Sequence, residues 1–456
     1  MALDDVTVQI TLGLVSTVFS YVITNRTVPV VAKYLLRNTN LHGIDMGRRD
    51  DNKLPESLGI VAGLTYLTSF VIFFIVTPFI FMNLNLLTSF SLSDKLCNSS
   101  IQHHQQDYSN GYSNSLSNLA AITSIFAMLM LGFIDDCYDL RWRYKLLFPF
   151  LASIPLLIVY YHSYSERTMI LVPQVISRYL NIDHRLDLGI FYYLFMLMFV
   201  IFCTNSINIY AGINGLEVGQ TIVLTVTIIW YNLIEVITKT NCDEWQILSL
   251  QILLPFLFSS IALYGYNRYP AQVFVGDSYC YFAGMTLAVV GILGHYSEEI
   301  LLFATLQVFN FIISVPQLFR LVTCPRHRLP KYNERTGLRE PSTFRFRYKR
   351  LNMLGKLAIS VFSRLGLANV RKHRTVITNN LETGDNYDHA VAAALAAAAA
   401  DDDEEYECNN LTLINLWLCW FGPRSERDLC HQLLRLQCYV SFLALALLTF
   451  IKLHSE

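Results

Sequence analysis

Three acidic residues stand where a long apolar run of the sequence ends. Asp135, Asp136 and Asp139 follow a run whose last residue is Ile134. A carboxylate at membrane depth costs about 2.5–3.5 kcal/mol, so such residues indicate a functional site with a cation as partner. The spacing puts Asp135 and Asp139 on one helical face, while Asp136 points about 100° away. Paired carboxylates suit Mg²⁺, although a solvated helix end is the alternative reading.

Polar residues of a second kind follow further along the chain. Lys145 lies near the start of the next apolar run, where it offers a positive charge for a phosphate group or serves as a membrane anchor. Asn205 and Asn208 share a helical face at the end of another run, and Gly212 and Asn214 follow them. Amide oxygens bind a hard cation or a substrate, and glycine lets a ligand approach the backbone. Helix packing through small and polar residues is the alternative.

A further carboxylate, Asp277, begins a later apolar run. Beside Asn208 it would complete a Mg²⁺ site of the kind that leaves positions for water and phosphate oxygens. Phe274, three residues before it, offers a ring face to a nucleotide base, but phenylalanine is more often a core residue.

A basic cluster, Arg326-His327-Arg328, lies between Pro325 and Pro330 just after an apolar run. The arginine fork suits phosphate oxygens, and His327 adds a hydrogen bond to sugar or phosphate. An anchor for anionic lipid is the alternative. Together with the acidic and amide residues, the cluster predicts a site that binds a diphosphate.

The elements that carry these residues are membrane spans. Hydrophobic residues make up 53% of the 456 residues and charged residues only 15%, which indicates a membrane protein. About ten apolar runs are each long enough to cross a bilayer. They cover approximately residues 6–24, 60–82, 119–134, 146–161, 188–204, 218–237, 247–264, 279–293, 300–318 and 436–451. The formal net charge of −1 gives no basis for expecting nucleic acid as a partner.

Alternating the sides of these runs places all the polar clusters on one face of the bilayer. That face also carries most of the lysines and arginines of the short loops, so the positive-inside rule makes it cytosolic. The sequon at Asn98 then lies in the lumen, in a polar loop over 83–118 that we expect to be unstructured, and the sequon at Asn410 lies in the cytosol and stays unmodified.

The predicted organisation is an all-α polytopic membrane protein with a small cytosolic α+β appendage between helices nine and ten. Residues 1–320 form the transmembrane core, 321–432 the appendage with a linker near 377–407, and 433–456 the tenth helix and a luminal tail. Alternating aromatic and basic residues over 344–349 predict a short basic strand in the appendage. The alanine–aspartate tract in the linker is too short to span a bilayer.

These motifs, in this order, resemble the polyprenyl-phosphate N-acetylhexosamine-1-phosphate transferase superfamily, and specifically its eukaryotic branch. The resemblance covers most of the chain. It is carried by residues 55–57, 131–147, 202–220, 273–295, 325–330 and 407–416. A ten-helix fold with both termini in the lumen and a groove open to the cytosol is what the resemblance implies.

The resemblance also implies roles for individual residues. Asn208 and Asp277 would hold Mg²⁺, and Asp135, Asp136 and Lys145 would be catalytic. Substrate-binding residues would be Asp45, Met46, Glu56, Asn205, Gly212, Asn214, Phe274, Arg326, His327 and Arg328. Asp139 departs from the asparagine usual in animal members, so its role is open.

The implied activity transfers N-acetylglucosamine 1-phosphate from UDP-N-acetylglucosamine to dolichyl phosphate, at the endoplasmic reticulum membrane. The lipid bilayer is then a further partner, and a homodimer is one option for assembly. The alternative is a transporter or flippase of a nucleotide sugar or lipid-linked sugar. Such a protein would place polar residues near the midplane of the membrane, whereas these lie at helix ends on one face.

Overall fold

The structure, a computed structural model, describes residues 2–45, 53–77, 101–138, 140, 142–164, 168–171, 177, 179, 185–238, 244–372 and 405–455. These residues are mostly helical. In chain order the helices are α1 Ala2–Asn38, α2 Gly59–Phe70, α3 Ile101–Tyr138, α4 Trp142–Tyr164, α5 Ile190–Ile209, α6 Leu216–Thr238, α7 Glu244–Asn267, α8 Gly276–Leu293, α9 Ser297–Phe303, α10 Thr305–Leu318, α11 Met353–Arg364, α12 Leu413–Phe421 and α13 Glu426–Ser455. A π-helical segment, Val71–Val76, continues α2.

Short antiparallel strands connect some of the helices. Three two-stranded pairs are β1 His42–Ile44 with β2 Lys53–Pro55, β3 Met169–Leu171 with β4 Arg185–Asp187, and β5 Lys331–Asn333 with β6 Leu338–Glu340. A three-stranded sheet has β9 Glu405–Asn409 at its centre, between β7 Thr343–Arg347 and β8 Val370–Lys372.

The apolar helices agree with the predicted spans. Within the described residues, eight helices are long and apolar enough to cross a membrane, and α9 with α10, bent by 75°, would make a ninth. The fourth predicted run corresponds to a shorter apolar helix, Leu147–His162. The predicted fold class, an all-α polytopic membrane protein with a small sheet-containing region, is confirmed.

The chain forms two compact units. Among the described residues, the first comprises residues 2–45, those between 53 and 307, and 430–455, and the second comprises residues 308–372 and 405–429. The predicted domain limits at residues 320 and 433 stay a prediction.

One expectation was wrong in part: residues 101–118 belong to α3 rather than to an unstructured loop. Asn98 and the alanine–aspartate tract lie outside the described residues.

Helix α8 is the central element of the first unit. Every residue from Ser278 to Leu293 is buried, and α8 packs against α3, α5 and α2. The contact with α3 is close because Gly132 has no side chain: a Cβ there would lie 2.5 Å from the Cα of Ser278. The end of α3, which carries the aspartates, therefore lies against the first turn of α8.

The second unit has its own small core. Phe344 and Phe346 of β7 are buried with Cys408 of β9, while Arg345 between them is exposed. The predicted basic strand is thus present. The Asn410 side chain, whose sequon we expected to stay unmodified, is buried; its Nδ2 donates to Ser342 Oγ at 2.8 Å and its Oδ1 accepts from Gln317 Nε2 at 2.9 Å.

Candidate active site

The first turn of α8 brings together residues from three helices. Asp277 accepts a hydrogen bond from Asn208 Nδ2, at the end of α5, with its Oδ1 at 2.8 Å. Its other oxygen, Oδ2, lies 3.2 Å from Lys145 Nζ in the first turns of α4. The two oxygens of one carboxylate thus bind two side chains that are distant in sequence, Asn208 by 69 positions and Lys145 by 132.

Lys145 links this carboxylate to Asp135. Its Nζ lies 2.8 Å from Asp135 Oδ2, which also accepts from the Tyr281 hydroxyl at 3.0 Å. Asp135 Oδ1 accepts from the backbone N–H of Leu140 at 2.9 Å. Burial by itself lowers the pKa of Lys145, but the charges of Asp277 and Asp135 and their hydrogen bonds outweigh it and raise that pKa. The lysine is therefore a fixed cation between two carboxylates.

Asp136 has a different position from Asp135. Its Oδ1 accepts from the backbone N–H of Asp277 at 2.6 Å, and its Oδ2 from that of Ser278 at 3.2 Å. These N–H groups have no partner within α8, because the first turn of any helix leaves its donors unpaired. The carboxylate of one helix thus caps the positive end of another. Sequence spacing indicated a separate role for Asp136, and this cap is one.

The segment that leads into α8 is fixed by backbone pairing with the end of β2 and the residue that precedes α2. Phe274 N donates to Pro55 O at 2.8 Å, and Leu58 N donates to Phe274 O at 3.1 Å. The Phe274 ring lies against Gly43, where a Cβ would approach it to 3.1 Å. Glu56 lies in the same segment; burial, and then the charge of Asp136, raise the pKa of its carboxyl group.

The residues after α5 form a second polar group. Asn214 Nδ2 donates to Asp45 Oδ2 at 2.9 Å, and both side chains are buried. The Gly212 N–H donates to Glu217 Oε1 at 2.9 Å. Asn205, in contrast, donates to the Ile201 carbonyl of its own helix at 2.8 Å. The structure therefore brings Asp45 and Asn214 together, but shows no contact between Asn205 and Asp277.

Four of the predicted substrate-binding residues remain. Met46 lies outside the described residues. Arg326, His327 and Arg328 belong to the second unit, where the first two are exposed and the Arg328 carbonyl accepts from Asn415 Nδ2 at 2.8 Å. Burial lowers the pKa of the Arg328 guanidinium. Their predicted contacts with substrate stay predictions.

The donor set of the cluster fits Mg²⁺. Asn208 and Asp277 supply an amide and a carboxylate side by side, and Asp135, which shares Lys145 with Asp277, adds a second negative charge nearby. Mg²⁺ keeps several waters and takes one or two carboxylates plus substrate phosphate oxygens. Within the described residues, no group of three or more His, Cys, Asp or Glu side chains is arranged so that it could hold a metal ion. A closed, all-protein metal cage is not what these side chains form.

Three residues of the site were missed from sequence. Tyr281 binds Asp135, Glu217 binds the Gly212 N–H, and Gln220 donates to the Tyr210 carbonyl at 2.7 Å. Tyr281 had a detectable signal, because it lies four residues after Asp277 and so on the same helical face. The contacts of Glu217 and Gln220 depend on how α6 folds back on the end of α5.

These features define a class: a polytopic membrane protein whose carboxylates, amide and lysine, gathered at helix ends, can bind a phosphate–metal complex. Residues 118–295 match the model of Glycosyl transferase family 4. Three relatives carry the name UDP-N-acetylglucosamine–dolichyl-phosphate N-acetylglucosaminephosphotransferase. The protein of Saccharomyces cerevisiae is 38% identical over 93% of this chain and 88% of its own. That of Schizosaccharomyces pombe is 37% identical over 95% and 90%.

The third relative, from Dictyostelium discoideum, is 40% identical over 70% of this chain and 75% of its own. Identity of 37–40% over 70–95% of this chain shows common descent and a common fold. The chain belongs to the family of UDP-N-acetylglucosamine–dolichyl-phosphate N-acetylglucosaminephosphotransferases, as the resemblance of its motifs predicted.

Proposed function

We propose that this protein transfers N-acetylglucosamine 1-phosphate from UDP-N-acetylglucosamine to dolichyl phosphate, giving N-acetylglucosaminyl-diphosphodolichol and UMP. The observation that carries the proposal is the cluster of Asn208, Asp277, Lys145 and Asp135 at the helix ends, in a chain whose relatives bear this activity in their names. The transporter alternative is not favoured, because these side chains lie at helix ends rather than in broken helices near a midplane.

Asn208 and Asp277 are the residues that would hold Mg²⁺. When bound, the ion would neutralise charge that develops on the phosphate oxygens of the donor. Lys145 supports the same chemistry, since its ammonium group is held by Asp135 and Asp277 in a position to bind a phosphate oxygen. The surplus of carboxylates over this one ammonium group favours a divalent cation at Asp277.

The acceptor phosphate supplies its own nucleophile. One of its oxygens would form a bond to the sugar-bearing phosphorus, the bond from that phosphorus to the oxygen of UMP would break, and UMP would leave with the electron pair. The second pKa of a phosphate monoester is about 6, so an oxygen is already deprotonated at neutral pH. A general base is not required for this step.

The geometry of the aspartates agrees with such a one-step displacement. Both oxygens of Asp136 accept backbone N–H groups of α8, and both oxygens of Asp135 accept hydrogen bonds as well. The oxygens of both carboxylates are thus already engaged in hydrogen bonds, which does not favour nucleophilic attack by either one on phosphorus. Asp135 would instead orient Lys145, and Asp136 the first turn of α8. A phosphorylated aspartate trapped without acceptor would contradict this.

We further propose that the protein works in the endoplasmic reticulum membrane with its site open to the cytosol, where it would start the assembly of N-glycan precursors. The positive charge of the loops on the site's face supports this orientation. The homodimer stays a prediction of the sequence.

The test measures UMP release by purified protein given UDP-N-acetylglucosamine, dolichyl phosphate and Mg²⁺. We expect release only when both substrates and the metal are present, inhibition by tunicamycin, and loss of release in the Asp277→Ala variant. Undecaprenyl phosphate, offered side by side, separates a dolichol-specific enzyme from a bacterial-type one. Folded protein that binds the nucleotide sugar and releases no UMP would refute the proposal and favour a transporter.

A further inference from the structure

A relay of three buried glutamines runs through the first unit, outside the cluster of charged residues. Gln220 lies on α6, Gln307 on α10 and Gln437 on α13, and at most 1% of each is exposed. Gln307 Nε2 donates to Gln220 Oε1 and to Gln437 Oε1, at 2.9 Å in both cases. A buried amide is costly unless it is hydrogen-bonded, so three in contact inside a membrane protein indicate a role in holding helices together or in positioning other residues.

The donors of this relay are fully used. Each glutamine amide has two N–H groups. Those of Gln307 bind the other two glutamines, and those of Gln437 bind Phe303 O at 3.2 Å and Ser441 Oγ at 2.8 Å. Because Gln307 donates to both neighbours, Gln220 must turn its oxygen toward Gln307. The N–H groups of Gln220 are then directed to the end of α5.

At that end Gln220 binds two backbone carbonyls. Its Nε2 donates to Tyr210 O at 2.7 Å and to Ile207 O at 3.3 Å. The last carbonyls of a helix have no partner within it, and α5 ends at Ile209. Asn208 lies between the two carbonyls in sequence, so Gln220 holds the helical turn from which Asn208 reaches Asp277.

Helix α6 also fixes the segment that follows. Glu217, one turn before Gln220, accepts the N–H of Gly212 at 2.9 Å. The first two turns of α6 thus hold the chain both around Asn208 and after it. A shift of this turn by a few tenths of an ångström would change the distance between the Asn208 amide and Asp277, on which a shared metal ion depends.

We propose that Gln220 is a positioning residue for the metal site, acting through the turn that carries Asn208, and that Gln307 acts through Gln220 by fixing its orientation. The inference rests on the proposed function only in that Asn208 and Asp277 are taken as the metal ligands. Gln437 is one step further from the metal site: its Oε1 accepts from Gln307, and its own N–H groups bind Phe303 and Ser441 rather than the turn that carries Asn208.

The test compares Gln220→Met, Gln307→Met and, as matched control, Gln437→Met. Methionine has a similar length and volume and removes all amide hydrogen bonds, and all three positions are equally buried. The readout is the affinity of the purified full-length protein for Mn²⁺, used as a paramagnetic probe for Mg²⁺ and titrated by electron paramagnetic resonance. UMP release and the melting temperature are measured on the same samples.

We expect Gln220→Met to weaken Mn²⁺ binding about fivefold or more, the equivalent of one net hydrogen bond, and Gln307→Met to weaken it in the same direction. Gln437→Met should leave the affinity within twofold of the parent while it lowers the melting temperature like the other two. The Mg²⁺ concentration for half-maximal UMP release should rise in parallel with the loss of Mn²⁺ affinity.

Equal loss of Mn²⁺ affinity in all three variants, or no loss in Gln220→Met, would overturn the inference, because the relay would then be structural only. If Gln220→Met does not fold, Gln307→Met decides in its place. If the parent protein releases UMP and the variants bind Mn²⁺ as tightly as the parent, only the positioning role is refuted. A parent protein that binds Mn²⁺ and releases no UMP refutes the proposed function and leaves the positioning of Asn208 to be judged by affinity alone.

Discussion

Gly276 allows the contribution of the Asp136 cap on α8 to be tested, because one added methyl group at this position should disrupt that cap. Its φ is +73°, and a Cβ there would lie 2.3 Å from Asp136 Oδ2 and 2.8 Å from its Cγ. The substitution Gly276→Ala must therefore displace the carboxylate that accepts from Asp277 and Ser278. Gly366, with a φ of +70° and no atom near its Cβ position, is a matched control for backbone strain alone.

The expected magnitudes follow from these two contributions. An alanine in the left-handed region costs about 1–2 kcal/mol, and both variants carry that cost. Loss of the carboxylate cap adds about 1–2 kcal/mol in Gly276→Ala only. Gly276→Ala should therefore destabilise the protein by about 2–4 kcal/mol, roughly twice the effect of Gly366→Ala. Because Asp277 moves with the first turn of α8, turnover should also fall by about a hundredfold.

The assay measures melting temperature and UMP release of the parent and both variants in the same detergent. Gly366→Ala should lower the melting temperature slightly and leave turnover close to that of the parent. If Gly276→Ala melts and turns over like Gly366→Ala, the cap of Asp136 on α8 contributes little, and the account of that residue given above is wrong.

Three further predictions concern single residues. Asp136→Asn keeps an oxygen that can cap α8, so we expect it to melt within a few degrees of the parent, whereas Asp136→Leu should melt well below it; similar melting of the two would contradict the cap. Because the raised pKa of Glu56 means that the folded state binds its proton more tightly than the unfolded state, stability falls as the pH rises above the ordinary value of 4.5. Glu56→Gln should hence melt above the parent at pH 8, with a gain that shrinks toward pH 4.5, and a gain independent of pH would count against this. Mass spectrometry should find no glycan at Asn410, whose buried amide is hydrogen-bonded at both ends; a glycan there would be incompatible with this fold.

The sequence was sufficient for the spans and for the types of residue at the site. Apolar runs are a local property, and a bilayer fixes their length, so ten could be found, and within the described residues each overlaps a helix. Eight of the described helices, or nine if α9 and α10 form one span, are long and apolar enough to cross a membrane. The order of the motifs along the chain identified the family. Asn208 and Asp277 were expected side by side, since the predicted topology puts both at helix ends on one face of the membrane, and Asn208 Nδ2 lies 2.8 Å from Asp277 Oδ1.

The contacts that distinguish the aspartates could not be predicted in the same way. Asp135 and Asp136 are neighbours in sequence, yet one binds a lysine and a tyrosine while the other caps a helix 141 positions away. That difference arises from the close approach of α3 and α8 at Gly132, which depends on packing. The pair of Asp45 and Asn214, 169 positions apart, is equally non-local.

The first turn of α8 makes the fold and the proposed chemistry depend on each other. The backbone of Asp277 is held by Asp136, and its side chain by Asn208 and Lys145, so any change that releases one set of contacts alters the other. A loss of activity in a variant of Asp136 is therefore no evidence by itself that this carboxylate takes part in the reaction. Only variants that keep the cap while removing the charge separate the two roles, because they leave Asp277 in place while they change what surrounds it.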